Sequence, residues 1–293
     1  MKAEFPWRHR WPLLALAGGL LFGGTVRADP AVWAVAGSGN TVYLFGSVHV
    51  LPEGGFGLAG ELLQAYRDAE RVCLEVDIGA LTPAETASIT FARAIDPEGR
   101  GLFELLGAAA EPVREAAAAA DFELAPFAAY EPWFVGLTVS LVALQQHGYT
   151  ANHGVEQVLE RAAKRDGKAG CGLESLDEQL GLLDGLPAKE QQDLLLQSLE
   201  EAARIEVEIR RLHEAWQNGD DELLARLLET EFAAYPELGD QLVYARNERW
   251  ADRISKLLEQ PDDVLVVVGA LHLVGDRGLP ALLARRGFSI ERR

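Results

Sequence analysis

Cysteine is scarce in this chain, and basic side chains are in deficit. Two cysteines in 293 residues exclude a disulfide-dense mini-fold and a zinc site built from cysteine alone. Twenty-seven Lys and Arg stand against 45 Asp and Glu, a net charge of −18. That balance removes the basic face that nucleic-acid phosphates require and disfavours docking on anionic lipid. Long hydrophobic runs are missing as well. The run LLALAGGLLFGG at 13–24 is about twelve residues, where a membrane-spanning helix needs roughly 20. Trp133–Leu144 (WFVGLTVSLVAL) is equally short and reads as a core helix. No repeat array, low-complexity linker or charge block divides the chain.

What is present begins with an address. Lys2, Arg8, His9 and Arg10 precede the apolar run at 13–24, and Val26-Arg27-Ala28 offers small residues at the −3 and −1 positions of a cleavage site, which is a signal-peptide pattern. Residues 29–293 would then form a periplasmic or secreted protein with no stable membrane span, carrying 23 basic and 44 acidic side chains, a net charge of −21. The 48% hydrophobic content of the full chain excludes disorder as the main state. In an oxidising compartment Cys73 and Cys171 form either a single disulfide or two buried thiols.

Strand patterns enclose helical ones. Ala31–Ala36 and Thr41–Val48 alternate around Gly37-Ser38-Gly39-Asn40, a hairpin signal. Arg71–Asp77, Lys168–Leu173, Val264–Val268 and Gly287–Glu291 read as further strands. Helical spacing fills 58–70, 154–165 and 279–285, and a capping box with proline at the first helical position, Thr82-Pro83-Ala84-Glu85, opens a long helical stretch. Ala188–Asn218 reads as the longest helix, with a packing stripe of Leu195, Leu199, Ala202, Ile205 and Ile209. The expectation is one α/β (α+β) domain over 29–293, a central mixed sheet with a large helical insertion at roughly 82–165 and 175–260.

Two similar strand-to-histidine turns carry the chemistry. Gly46-Ser47-Val48-His49 follows TVYLF, and Gly269-Ala270-Leu271-His272 follows VLVVV. A bare Gly-x-x-His is a weak motif. Its context is stronger, because both histidines fall just past a buried strand, at the edge where open α/β sheets bind ligands. Two other strands end in carboxylates, VCLEVD at Glu75 and GCGLE at Glu174. Four neighbouring strands would present His49, Glu75, Glu174 and His272 at one edge. Two imidazoles with carboxylates suit a divalent cation such as Mn²⁺, Co²⁺ or Zn²⁺; the same groups also suit a metal-free His/Glu acid–base pair.

The segments TVYLFGSVHVLP (41–52), VCLEVD (72–77), GKAGCGLESLDEQL (167–180), YARNERWADRI (244–254) and VLVVVGALHLVGDRGLPALLARRGFSI (264–290) resemble the TraB/GumN family, which includes bacterial pheromone-shutdown proteins and the Tiki metalloproteases. The resemblance implies a fold similar to that of erythromycin-esterase-like and haem-uptake proteins, and a metal-dependent, peptidase-like hydrolase. It implies His49 and His272 as metal ligands, Glu75 as the acidic partner, and Glu174 as a second ligand or base. Arg246, with Asn247, matches a family Arg-Asn pair and would hold a site or substrate carboxylate. The substrate would be a peptide or small molecule, and the oligomeric state stays open. Two alternatives remain: a metal-free esterase-like enzyme, and a binding protein that sequesters a peptide or haem-like ligand. Some features depart from the family or stand apart from the motif. Glu156 stands where the family favours Asp and is set aside. His153 reads as a local capping or surface residue, His213 as solvated, and no membrane segment follows Arg293.

Overall fold

A computed structural model describes residues 29–233 and 236–293; the signal-peptide reading of residues 1–28 lies outside them. The first hairpin forms as its alternation predicts. β1 (Val32–Ala36) and β2 (Thr41–Ser47) pair antiparallel, and the Asn40 amide donates to the carbonyls of Leu257 (3.0 Å) and Asp262 (2.8 Å), tying the turn to the far end of the chain. α1 (Gly60–Asp68) then leads to β3 (Arg71–Val76). The helical stretch contains α2 (Pro83–Ala94), α3 (Leu102–Leu106), α4 (Ala110–Ala119), α5 (Pro132–Gln146) and α6 (Val155–Asp166). The Thr82 capping box is in place.

β4 (Ala169–Glu174) separates that stretch from a second one: α7 (Leu176–Asp184), α8 (Ala188–Glu201), α9 (Ile205–Gln217), α10 (Asp221–Glu231), α11 (Pro236–Gly239) and α12 (Ala245–Leu257). β5 (Val264–Gly269), α13 (Leu279–Arg285) and β6 (Ser289–Arg292) close the chain. The single helix expected over 188–218 is interrupted: α8 and α9 are joined by a tight 3₁₀ turn at Ala202–Arg204. The apolar stripe continues through that turn, so spacing alone did not reveal the break.

The six strands make one mixed sheet in the order β4-β3-β5-β2-β1-β6. β2, β5, β3 and β4 run parallel, and β1 and β6 add an antiparallel pair at one side. β5 is covered on both faces, which is why it reads as unbroken valine and leucine. Leu265 and Val267 pack with α1, α6, α9 and α10 on one face. Val264, Val266 and Val268 pack with α12 and α13 on the other. A third core, with Leu102, Val113, Val135 and Leu195, joins α3, α4, α5 and α8 to one another. Cys73 and Cys171 are register partners on β3 and β4 and form a disulfide, which settles the open alternative. Because β4, β3, β5 and β2 are parallel, Ser47, Val76, Glu174 and Gly269 all lie at their carboxyl ends, along one side of the sheet.

Candidate functional site

His49 and His272 are both held by their Nδ1 atoms. Past β2 the chain at Val48–Leu51 is zipped to 150–155: Leu51 and Thr150 exchange backbone hydrogen bonds, and the Val155 amide donates to the Val48 carbonyl. That docking brings Glu156, on the first turn of α6, to His49 Nδ1 at 2.6 Å. Ser47 Oγ donates to the same Glu156 oxygen. Gly154 makes the approach feasible, since a Cβ there would stand 2.1 Å from the His49 carbonyl oxygen. Glu156, set aside on sequence grounds, is therefore the orienting partner of His49.

His272 lies on a 3₁₀ turn, Ala270–Leu273, directly after β5. The Asn247 side chain donates its Nδ2 to the Arg277 carbonyl at 2.9 Å, which turns Oδ1 toward His272 Nδ1 at 2.7 Å. An amide oxygen only accepts, so Nδ1 carries the proton and Nε2 is left with a lone pair. A carboxylate imposes the same tautomer on neutral His49. Each imidazole thus turns Nε2 away from its holder, the arrangement found in metal-ligating histidines.

His49 Nε2 and the ring edge of His272 both face Gly269. A Cβ on that glycine would lie 3.5 Å from His49 Nε2, 3.5 Å from His272 Cδ2 and 3.4 Å from Glu75 Oε1. The missing side chain leaves a cradle walled by two imidazoles and a carboxylate. Gly46, the matching glycine of the first motif, does something else: its Cβ would stand 2.9 Å from Ala270 Cα, so it lets the two motifs touch.

Glu75 sits 6% exposed at the end of β3. Its Oε1 accepts from the Gly269 amide (2.7 Å) and lies 3.9 Å from His272 Nε2. Its Oε2 accepts from Arg246 Nη2 (2.6 Å) and Gln179 Nε2 (3.0 Å). Arg246 Nη2 also donates to Glu174 Oε1 at 2.7 Å, its Nε to Glu174 Oε2 at 3.4 Å, and its Nη1 approaches His272 Nε2 at 3.3 Å. Trp250, one turn along α12, backs both groups. The guanidinium lies 4.4 Å from its ring centre, and the imidazole of His272 4.6 Å. A π turn at Asp240–Tyr244 precedes α12, and within it the Leu242 carbonyl accepts from Arg246 Nη1 at 3.0 Å. The five residues expected at the site from sequence are thus together, joined by Glu156, Asn247 and Gln179. Gln179 could have been found in the quoted LDEQL segment, one helical turn after Ser175.

Charge sets the protonation states. Burial alone would raise the Glu75 carboxyl; the surrounding imidazoles, the Arg246 guanidinium and the Gly269 amide outweigh it and hold the group at about 2. Burial drives His272 down to about 3, so its imidazole is neutral and Arg246 is the permanent cation that keeps Glu75 ionised. His49 moves upward because of the Glu156 carboxylate. Its side chain is 63% exposed, and water screens that shift. Glu75, Glu174 and Glu156 against Arg246 leave an excess of negative charge when both imidazoles are neutral.

The donor types and their orientation suit a divalent cation. They are not drawn together, however: among the described residues no three His, Cys, Asp or Glu side chains converge to hold a metal as they stand, and Arg246 faces His272 Nε2. The remaining histidines are elsewhere. His153 forms part of a one-turn 3₁₀ helix, and α6 has Gly154 as its N-cap with no side-chain cap. His147 pairs with Glu206 at 3.3 Å. His213, expected to be solvated, is half-buried: it stacks on Trp216 with ring centres 5.8 Å apart, and burial lowers its pKa.

The family model for TraB/PrgY/gumN proteins matches residues 31–292. YbaP of Escherichia coli (strain K12), an uncharacterized protein, is 24% identical over 257 residues, covering 87% of this chain and 92% of that protein. YbaP of Shigella flexneri matches to the same extent. No solved structure matches the chain at a significant level.

Proposed function

This chain belongs to the TraB/PrgY/gumN family, and from that premise and the Gly269 cradle we propose that it is an exported, peptidase-like hydrolase whose centre takes a divalent metal. The observation that carries the reading is the convergence of the two imidazoles: Glu156 and Asn247 hold Nδ1, His49 Nε2 and the ring edge of His272 meet Glu75 Oε1 at the same cradle, and His272 Nε2 lies 3.9 Å from that oxygen. His49, His272 and Glu75 are the residues that would hold Mn²⁺, Co²⁺ or Zn²⁺. A bound cation of this kind polarises a substrate carbonyl and lowers the pKa of water. Its two positive charges would also offset the surplus of buried carboxylates.

The chain's own residues have separate tasks in this reading. Glu156 keeps the proton on His49 Nδ1, and Asn247 keeps it on His272 Nδ1. Arg246 and Glu174 are positioning residues, because both Glu174 oxygens are taken by the guanidinium, which in turn fixes Glu75. The most exposed of the ligands, His49, faces arriving substrate. Export agrees with the Cys73–Cys171 disulfide and with the fact that no helix among the described residues is long and apolar enough to cross a membrane.

A second reading, the metal-free hydrolase, is favoured by the contact of Arg246 Nη1 with His272 Nε2. There the guanidinium is the resident cation, and the His49–Glu156 pair is the base. One experiment separates the two. Residues 29–293 are stripped with chelator and incubated with a mixture of unstructured peptides, with and without added Mn²⁺, Co²⁺ or Zn²⁺, and cleavage is followed by mass spectrometry. The metal reading expects cleavage only with metal. Cleavage that survives stripping moves the assignment to the metal-free enzyme, and no cleavage under any condition contradicts peptide hydrolysis in either form.

A further inference from the structure

β4 is the outermost strand on the side of the sheet nearest Glu174. Ala169, Gly170 and Gly172 are exposed. Alternate residues of an edge strand turn their N–H and C=O groups away from the neighbouring strand. Among the described residues, no backbone group outside β3 bonds the main chain of Ala169–Leu173. Natural edges are commonly shielded by lysine, proline or a bulge within the strand. The β4 sequence AGCGLE contains neither residue, and Asp77 folds back over Gly170 and Gly172 where side chains would otherwise stand. The strand is instead stapled to β3 by the Cys73–Cys171 disulfide, so a chain that pairs with its outer edge cannot peel it away.

A cleft of about 240 Å³ opens at the carboxyl end of this edge, against Glu174, Trp250, Arg249 and Arg253. Arg253 pairs with Glu178 at 3.5 Å. Arg249 donates to a carbonyl of its own helix and makes no ion pair among the described residues, though it lies near enough to Glu178 to help lower that carboxyl. Glu174 is taken by Arg246 and Glu178 pairs with Arg253, so the Arg249 guanidinium in this cleft is left open to an added anionic group. The net charge of −18 opposes pairing of β4 with a second copy of the chain.

We infer that β4 is the docking edge for an extended peptide, which adds to the sheet as a further strand with a carboxylate held at Arg249, next to Glu174. This deepens the hydrolase reading and rests on it for the identity of the peptide as substrate. Main-chain pairing supplies affinity with little demand on sequence, and the arginine cleft sets the register.

The test uses hexapeptide pools of random neutral sequence, about the length of one strand. One pool has free C-termini, one is amidated, and one is amidated with a single glutamate. Hydrogen exchange of the 169–174 amides is measured in the His49→Ala protein, where turnover is removed, and cleavage of the same pools is measured with wild type. The expected result is about threefold or greater slowing of the outward β4 amides by the free-acid or glutamate pool, with the two pools telling a terminal from a side-chain carboxylate. The amidated neutral pool should protect less, and Arg249→Glu should abolish the difference. Cleavage without protection of β4 overturns the edge proposal and keeps the hydrolase reading. Protection without cleavage supports the edge and contradicts hydrolysis. No protection by any pool overturns the edge proposal whether or not cleavage occurs.

Discussion

Arg246 stands where Glu75, Glu174 and His272 meet, and its removal should be felt in stability before function is assayed. Deleting one partner of a buried ion pair leaves uncompensated charge and costs about 3–5 kcal/mol. Arg246→Ala should lower the urea midpoint accordingly. Arg246→Lys keeps the charge but loses the fork that reaches both carboxylates, so it should recover only part of the loss. The two motif glycines offer a sharper contrast. Gly46→Ala drives a Cβ against Ala270 Cα at 2.9 Å, and overpacking of this kind costs about 1–3 kcal/mol. Gly269 has a negative φ, −50°, and its Cβ would meet only ordinary contacts at 3.4–3.5 Å. Gly269→Ala should therefore fold with an almost unchanged midpoint while filling the cradle and abolishing hydrolysis. Equal loss of stability in the two variants would contradict the division of roles.

Among the elements, the disulfide links parallel neighbours that are 98 residues apart in sequence, with α2 to α6 between them. Closing a loop of about that length stabilises by roughly 4–5 kcal/mol in the chain-entropy account, and removing a native disulfide typically costs about 2–5 kcal/mol. Cys171→Ser should show a loss in that range by urea denaturation, together with faster exchange along β4. No change would mean that the sheet holds β4 without the staple. Much at this scale was legible beforehand. The hairpin, the Thr82 cap, the buried valine strand and the strand-end positions of His49, Glu75, Glu174 and His272 all follow from local alternation and turn chemistry. The order β4-β3-β5-β2 was not legible, because strand adjacency is decided by helix packing between distant segments. Glu156 was missed for a related reason: its approach to His49 depends on the bridge between Leu51 and Thr150 and on Gly154, which are long-range contacts. The 3₁₀ turn at 202–204 and the π turn at 240–244 conserve the apolar stripe and so leave no trace in the spacing.

At the scale of the whole molecule, metal binding is tied to proton release. Glu156 raises the proton affinity of His49, so a metal at Nε2 must displace a proton over part of the neutral range. Below the His49 pKa the imidazolium dominates, and metal affinity should fall by about tenfold per pH unit. Above it the affinity should level off. His272, kept neutral by burial, adds no such dependence until its value of about 3. Calorimetry in buffers of different ionisation enthalpy should count up to one released proton near neutrality and none well above the His49 pKa. Release that is independent of pH would contradict the assignment of His49 as a ligand. The acidic surface acts in the same direction, since it favours cations over anions near the protein at low salt.

The most direct measurement is a calorimetric titration of Mn²⁺, Co²⁺ and Zn²⁺ into chelator-stripped protein, comparing wild type with Gly269→Ala and with His49→Ala/His272→Ala. The expected result is a single specific site in wild type, weakened when the cradle is filled and lost when both imidazoles are removed. Absence of specific binding in wild type, or binding that survives loss of both histidines, would contradict it.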